Sequence, residues 1–200
     1  HTEIDKHKWD NTLKLSPNGI VYASSWYLDI VSPGWEALME DDYKFIFPLC
    51  KRSKYGFNYL YQPHFTQQGG LFSISGNPTT EKVKQFLASI PENFKLIEIN
   101  LNTSNHIDAF GKGIISKRRT HHLSLHQPIE ELRKNYSDNL KRNLKKSKQV
   151  EQTLASSHEI KSIIALFRSE RGKNIEQLGD KEYAMLERII SVAQKRNEVE

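Results

Sequence analysis

Basic side chains are concentrated in the segment that follows Pro128. From Arg133 to Lys148 the sequence carries seven basic residues and one acid, a local charge of +6, whereas the whole chain carries +5. Lysine and arginine bind phosphate and carboxylate groups, lysine as a point charge and arginine through a planar fork. A solvated helix face is the alternative interpretation, and binding along a nucleic-acid backbone is a third. The expected substrate-binding cations are Lys141, Arg142, Lys145 and Lys146.

A second polar group lies in the loop from Gln62 to Gly70, directly after a strand-like segment. His64 in this loop could act as a general base near neutral pH or orient a polar substrate. A loop histidine that follows a proline is, however, more often simply exposed. The pattern assigns no catalytic residue, and His64 is only a candidate. Further candidate substrate contacts near it are Tyr61, Gln62, Gln67 and Gln68.

The other potential metal and redox residues do not form a recognisable site. His121 and His122 are adjacent in an expected strand, so their side chains point to opposite faces, which disfavours joint metal binding. His126 shares a face with His122, but no nearby carboxylate or cysteine extends the pair. Cys50 is the only cysteine, which excludes an internal disulfide. We therefore expect no metal site, and no phosphate-loop or serine-nucleophile motif is present.

The basic segment is expected to form one amphipathic helix from Ile129 to Gln149. Four apolar or aromatic residues recur at spacing four and define one face, while the cations occupy the opposite arc. Pro128 suits the first helical turn, where its missing N–H costs nothing. The residues at spacing four are Leu132, Tyr136, Leu140 and Leu144.

Periodicity and turn residues predict the remaining elements. Helices are expected at Lys6–Leu15, Trp26–Val31, Thr79–Ile90, Glu159–Gly172 and Lys181–Arg196. Strands are expected at Trp35–Glu40, Tyr43–Cys50, Phe57–Tyr61, Lys95–Leu101, Ser116–Leu125 and Val150–Ala155. The turns Asp41-Asp42 and Lys51–Gly56 would join the first three strands into an antiparallel meander. The predicted fold class is therefore α+β with a mixed, largely antiparallel sheet, and the expected domain boundary lies near Gln127.

Several of these segments resemble the Fem-type peptidoglycan-bridge aminoacyltransferases and their GNAT-like acyltransferase relatives. The family places a strand before a helix with an R-R-N-I-K-K-A-like sequence, which K-R-N-L-K-K-S at 141–147 resembles. The upstream sequence F-P-L-C-K-R-S-K-Y-G-F-N-Y-L-Y-Q-P-H also resembles the family segment in which a basic turn joins two strands before a substrate-side loop. The resemblance covers about Ala23 to Lys173.

The resemblance implies two GNAT-like halves with substrate held between them. Residues 1–126 would form the first GNAT-like domain, and residues 127–200 would form the basic helix and the beginning of a second one that continues further. It implies transfer of an activated acyl group to an amine of an anionic acceptor, either a small molecule or a cell-wall precursor. Acyl-CoA or aminoacyl-tRNA would be the donor, and no covalently bound cofactor is expected. A non-catalytic ligand-binding module and a nucleic-acid-binding protein are the alternatives.

The composition is that of a globular chain without a membrane span. Its 200 residues are 37% hydrophobic and 26% charged, which is enough for a buried core. No apolar run approaches the ~18 residues that a membrane-spanning helix needs. The start of the sequence has no signal-peptide core. A cytoplasmic location is therefore expected.

Overall fold

A computed structural model describes residues 3–111, 113–149 and 159–198 of the chain. These residues form a mixed α+β structure with seven α-helices and two three-stranded sheets. The chain divides into two compact units, which are residues 1–114 with 159–200, and residues 115–158. The boundary expected near Gln127 falls inside the second unit.

The first sheet of the first unit contains β1 (Glu36–Glu40), β2 (Phe45–Leu49) and β5 (Phe72–Ser73), in the order β1-β2-β5. Both pairings are antiparallel. Helices α1 (Lys6–Leu15) and α2 (Ser25–Val31) pack on it, as the sequence predicts. Their apolar faces form a buried cluster with the strands because each element hides one apolar side from water. This cluster contains Trp9, Leu13, Ala23, Leu28, Trp35, Ala37, Ile46 and Phe72.

The second sheet contains β3 (Lys51–Lys54), β4 (Phe57–Leu60) and β6 (Phe94–Ile97), in the order β3-β4-β6. Strand β3 is antiparallel to β4, and β6 is parallel to β4. The expectation of a six-residue turn at Lys51–Gly56 is therefore wrong, because only Tyr55 and Gly56 form the turn, both with positive φ. The three-strand meander is wrong as well, since the chain passes from one sheet to the other at Cys50.

Helix α3 (Thr80–Ala88) packs in the second core cluster of the first unit. The Thr79 hydroxyl begins the helix by accepting a hydrogen bond from the Lys82 amide at 3.2 Å. Val83 and Phe86 are the buried residues of this helix. The complete cluster contains Phe47, Leu49, Leu60, Leu71, Val83, Phe86, Ile90 and Phe94.

The side chains of two asparagines form hydrogen bonds with the backbone of Leu71, the residue before β5. The Leu71 N–H donates to Oδ1 of Asn105 at 2.6 Å, and Nδ2 of Asn105 donates back to the Leu71 carbonyl at 3.0 Å. Asn18 Nδ2 donates to the same carbonyl at 2.8 Å. Gly70 has φ +108°, and a Cβ there would lie 2.3 Å from Oδ1 of Asn105. Buried amides therefore satisfy backbone groups that no strand pairs with.

The first unit also contains α6 (Ile160–Glu170), a short 3₁₀ helix (Gly172–Asn174) and α7 (Asp180–Lys195). Both α-helices confirm the sequence-based expectation to within a few residues. Tyr183 is buried, and its ring lies 6.4 Å from that of Phe167, which joins the two helices. Helix α7 also packs against α2.

The second unit contains α4 (Ile129–Lys134) and α5 (Asp138–Ser147). The expected single helix from Ile129 to Gln149 is therefore wrong. The Ser137 hydroxyl accepts a hydrogen bond from the Leu140 amide at 3.2 Å, so the chain stops at Asn135 and starts a new helix. Serine favours this capping position over a helix interior because its side chain competes for backbone donors.

The expected strand from Ser116 to Leu125 is also wrong, since these residues form no regular structure. Alternating residues make a strand only where another strand supplies hydrogen-bonding partners, and no described strand pairs with this segment. The expected strand at Val150–Ala155 lies outside the described residues. None of the described helices is both long enough and apolar enough to cross a bilayer.

Candidate functional site

The four cations predicted to bind an anion share one side of α5. Because an α-helix turns by ~100° per residue, Lys141 and Lys145 lie one above the other, as do Arg142 and Lys146. Leu140 and Leu144 lie on the opposite side at the same spacing. We call the four basic residues the cationic face of α5.

The charges of the cationic face are exposed and largely uncompensated. No hydrogen bond or ion pair joins the ammonium groups of Lys141, Lys145 and Lys146 to another described side chain. Arg142 makes one long contact, 3.4 Å from its Nη2 to Oδ1 of Asn139, which is a neutral side chain. Lysines and arginines at spacing three and four repel one another. An anion that bound here would relieve this repulsion.

Hydrogen bonds within the loop after β4, and from outside it, occupy several of its polar groups. Nε2 of Gln62 donates to the Thr66 carbonyl at 2.6 Å, and its Oε1 accepts from the Asn100 amide at 2.9 Å. The Tyr27 hydroxyl of α2 donates to the Phe65 carbonyl at 2.6 Å. Burial raises the pKa of Tyr27 to about 12, so this hydroxyl keeps its proton at neutral pH. The Gln62 amide, expected to contact substrate, is thus occupied within the loop.

Tyr61 has a similar structural role at the start of the loop. Its hydroxyl donates to the Val31 carbonyl at 2.9 Å. The Arg52 guanidinium of β3 stacks on the Tyr61 ring, 4.0 Å from its centroid. Strand pairing places Arg52 opposite Tyr59 in β4, the neighbour of Tyr61 on the same face. An arginine that the sequence suggested to be in a turn therefore lies beside the candidate loop.

His64 is half-buried in this loop and lies in the electrostatic neighbourhood of Glu182 in α7. Hydrogen bonds from the Gly179 backbone and from its own backbone lower the pKa of Glu182, and the charges of His64 and Arg52 lower it further. His64 and Arg52 thus interact electrostatically with Glu182, although the three residues come from distant parts of the chain. Sequence reasoning missed Arg52 and Glu182 because no local pattern links residues so far apart.

Gln67 is exposed and Gln68 is half-buried, and both belong to the same loop of the first unit. The predicted site residues therefore form two groups. One group is the loop with Tyr61, Gln62, His64, Gln67 and Gln68, and the other is the cationic face of α5 in the second unit.

A pocket that sequence reasoning did not predict lies between the end of α1 and the end of α7. It has a volume of about 350 Å³. Both of its acids are occupied: Asp10 accepts hydrogen bonds from the Ser25 amide and hydroxyl at 2.8 and 2.6 Å, and Glu198 pairs with Arg196 at 2.8 Å. The pocket presents little free charge, since Lys14 is the only other charged side chain among the described residues that line it.

The described residues offer no metal or thiol chemistry. Nowhere in residues 3–111, 113–149 and 159–198 do three His, Cys, Asp or Glu side chains come together as metal ligands would. Burial raises the pKa of the Cys50 thiol to about 12, so the reactive thiolate is suppressed at neutral pH.

Comparisons with protein-family models, with curated proteins and with solved structures give no match for this chain.

Proposed function

We propose that the protein is an N-acyltransferase or aminoacyltransferase of the Fem-related, GNAT-like class. It transfers an activated acyl group to an amine of an anionic acceptor. The observation that supports this best is the cationic face of α5, where Lys141, Lys145 and Lys146 lack anionic partners among the described residues. Such a face attracts a carboxylate or a phosphate and raises its local concentration.

In the proposed reaction the acceptor amine attacks the activated carbonyl carbon of the donor. A new C–N bond forms, the bond from the carbonyl carbon to the CoA sulfur or to the tRNA ester oxygen breaks, and the amine loses one proton. The protein acts mainly by positioning the two reactants and by screening negative charge. His64 is the candidate that would accept the proton.

The donor in this proposal is acyl-CoA or aminoacyl-tRNA, and the acceptor is an anionic small molecule or a cell-wall precursor in the cytoplasm. The similarity of K-R-N-L-K-K-S at 141–147 to the family sequence supports this choice of class. The exposed cations support the choice of an anionic acceptor, because guanidinium and ammonium groups bind carboxylates and phosphates more strongly than neutral groups.

The test is an acyl-transfer assay with the full chain. Acetyl-CoA and aminoacyl-tRNA serve as donors, and amines with and without a carboxylate or phosphate serve as acceptors. We expect turnover with anionic amines, measured as release of the CoA thiol or of uncharged tRNA. In a Lys141→Glu, Lys145→Glu variant we expect the KM for the acceptor to rise by about tenfold or more, with a smaller change in kcat.

A matched control reverses two exposed lysines of the first unit. Lys161→Glu with Lys181→Glu makes the same change in net charge on α6 and α7. If this control raises the KM equally, the effect is one of net charge and not of the cationic face. Absence of turnover with every donor and acceptor would contradict the transferase proposal.

The second candidate function is a non-catalytic module that binds the same anionic ligand. The hydrogen bonds of the loop favour it, because Gln62 and Tyr61 are committed to structural contacts that leave fewer polar groups for chemistry. This function predicts that an anionic amine binds in calorimetry without turnover. Tight binding of DNA or RNA with a steep salt dependence would instead favour a nucleic-acid-binding protein.

A further inference from the structure

The second unit exposes large apolar side chains among its cations. Leu140 and Leu144 of α5 are 40% and 41% exposed, and Leu123 and Leu125 are 70% and 74% exposed. No residue of α4 or α5 is buried. Contiguous exposed apolar side chains usually mark a surface that another molecule covers.

The charge around these side chains is strongly positive. Residues 115–149 contain ten basic and three acidic residues, a local charge of +7, which exceeds the +5 of the whole chain. Arg118 and Arg119 lie just before the exposed leucines at 123 and 125, and the cationic face of α5 lies opposite Leu140 and Leu144. The partner of this surface is therefore both anionic and apolar.

We propose that the second unit binds the surface of an anionic phospholipid membrane. Helix α5 lies in the plane of the interface, with Leu140 and Leu144 directed toward the acyl chains and the long side chains of the cationic face extending back to the phosphate groups. Leu123 and Leu125 insert beside Arg118 and Arg119. Charge complementarity determines this partner, because an amphipathic helix with leucines on one side and lysines on the other matches the boundary between acyl chains and headgroups.

The leucines favour a membrane over a nucleic acid. Polynucleotides neutralise lysine and arginine equally well, but their phosphate backbone offers nothing to an exposed leucine. Proteins that bind single strands add aromatic side chains on which the bases stack, and Tyr136 is the only tyrosine, phenylalanine or tryptophan in residues 115–149. A lipid bilayer offers acyl chains to the leucines and phosphate groups to the lysines and arginines.

Both the cations and the leucines contribute to the free energy of membrane binding. Each lysine or arginine near an anionic bilayer strengthens binding by about fivefold, and salt weakens this contribution. Each leucine that moves from water into lipid adds a comparable amount that salt does not weaken. The proposed membrane binding does not depend on acyl transfer, because it involves neither a donor nor an acceptor.

Sedimentation with vesicles tests the proposal on the full chain. We expect binding to vesicles of phosphatidylglycerol and phosphatidylcholine, and at least about tenfold weaker binding to phosphatidylcholine vesicles. The Leu140→Ser, Leu144→Ser variant keeps every charge, and we expect it to bind the anionic vesicles about tenfold or more weakly.

The matched control removes two leucines from the first unit. Leu15→Ser with Leu166→Ser replaces side chains that are 60% and 65% exposed, and we expect unchanged vesicle binding. Equal binding by the Leu140→Ser, Leu144→Ser variant and the native chain would overturn the proposal, as would absence of binding to anionic vesicles. A DNA oligonucleotide that binds more tightly than the anionic vesicles would also overturn it.

A fluorescent label reports on insertion even if a serine variant fails to fold. Cys50 is half-buried and its pKa is raised to about 12, so a Leu144→Cys variant can be labelled selectively with an environment-sensitive dye. We expect a blue shift with anionic vesicles for the label at 144. A label at Lys145→Cys, on the opposite side of α5, should stay in water. Equal spectra for the two labels would contradict the orientation of the helix and the proposal with it.

Discussion

Helices in the first unit and in the second unit begin with the same kind of hydroxyl cap, but they differ in how much of each helix is buried. Thr79 caps α3 and Ser137 caps α5, and in each case the hydroxyl accepts a backbone hydrogen bond at 3.2 Å. Helix α3 then buries Val83 and Phe86 in a core, whereas α5 buries nothing. Local signals therefore determine where a helix begins, and tertiary packing determines how strongly it is held. The predictions below test this difference.

The largest effect is expected in the second core cluster. Phe47→Ala removes a side chain that is fully buried, and we expect a loss of about 3–5 kcal/mol in the free energy of unfolding because a cavity remains. Urea unfolding followed by tryptophan fluorescence measures it, since all three tryptophans lie in the first unit. Leu144→Ala in α5 is the counterpart and should change this value by less than about 0.5 kcal/mol. Equal losses would show that the comparison is wrong.

The next largest loss in the free energy of unfolding is expected at the contact between α1 and α2. Asp10→Ala leaves the amide and hydroxyl of Ser25 without their acceptor, and we expect a loss of about 1–3 kcal/mol in the same unfolding experiment. Asp10→Asn keeps one acceptor oxygen and should recover part of this loss. If alanine and asparagine behave identically, the carboxylate does not support the start of α2.

Removal of the two caps compares the units most directly. We expect Thr79→Ala to lower the free energy of unfolding of the first unit by about 1 kcal/mol. We expect Ser137→Ala to leave that value unchanged and to accelerate hydrogen exchange of the α5 amides by about fivefold, because α5 opens locally. Exchange at α5 as slow as that at α3 in the native protein would contradict this prediction.

The smallest effect concerns Glu182 at the start of α7. Its folded pKa is lowered, so its carboxylate stabilises the fold above its unfolded pKa and this contribution disappears as the pH falls through the folded value. We expect Glu182→Gln to cost less than about 1 kcal/mol at pH 7, as is typical of an acid near a helix N-terminus. Unfolding measured from pH 7 downward should show the two proteins converging below the ordinary glutamate pKa of about 4.3. A constant difference at all pH values would exclude the charge effect.

The helices were largely predictable from the sequence, because their signals are local. Thr79 marks the start of α3, and apolar spacing marks the buried sides of α3, α6 and α7. The same periodicity led to one helix where α4 and α5 are two. In that segment Ser137 could be read as an interior residue or as a cap, and periodicity does not distinguish the two.

The strands and the candidate loop were less predictable, because they depend on distant partners. Lys51–Lys54 has the composition of a turn, yet it is an edge strand in which Lys51 pairs with Glu36 and Arg52 stacks on Tyr61. The electrostatic interaction of His64 with Glu182 likewise depends on the fold and not on any spacing in the sequence. Gln62 matched the pattern of a substrate contact, but the Asn100 and Thr66 backbones occupy it.

The asparagine contacts at Leu71 make this part of the first unit depend on the chemical state of one side-chain amide. Hydrolysis of the Asn105 side-chain amide would exchange its donor nitrogen for a second oxygen, facing the Leu71 carbonyl that it now binds at 3.0 Å. The product would be a carboxylate in a site that is 94% shielded from water, since Asn105 is only 6% exposed. The change from amide to carboxylate would thus weaken the contact between Asn105 and Leu71 without any change in the encoded sequence.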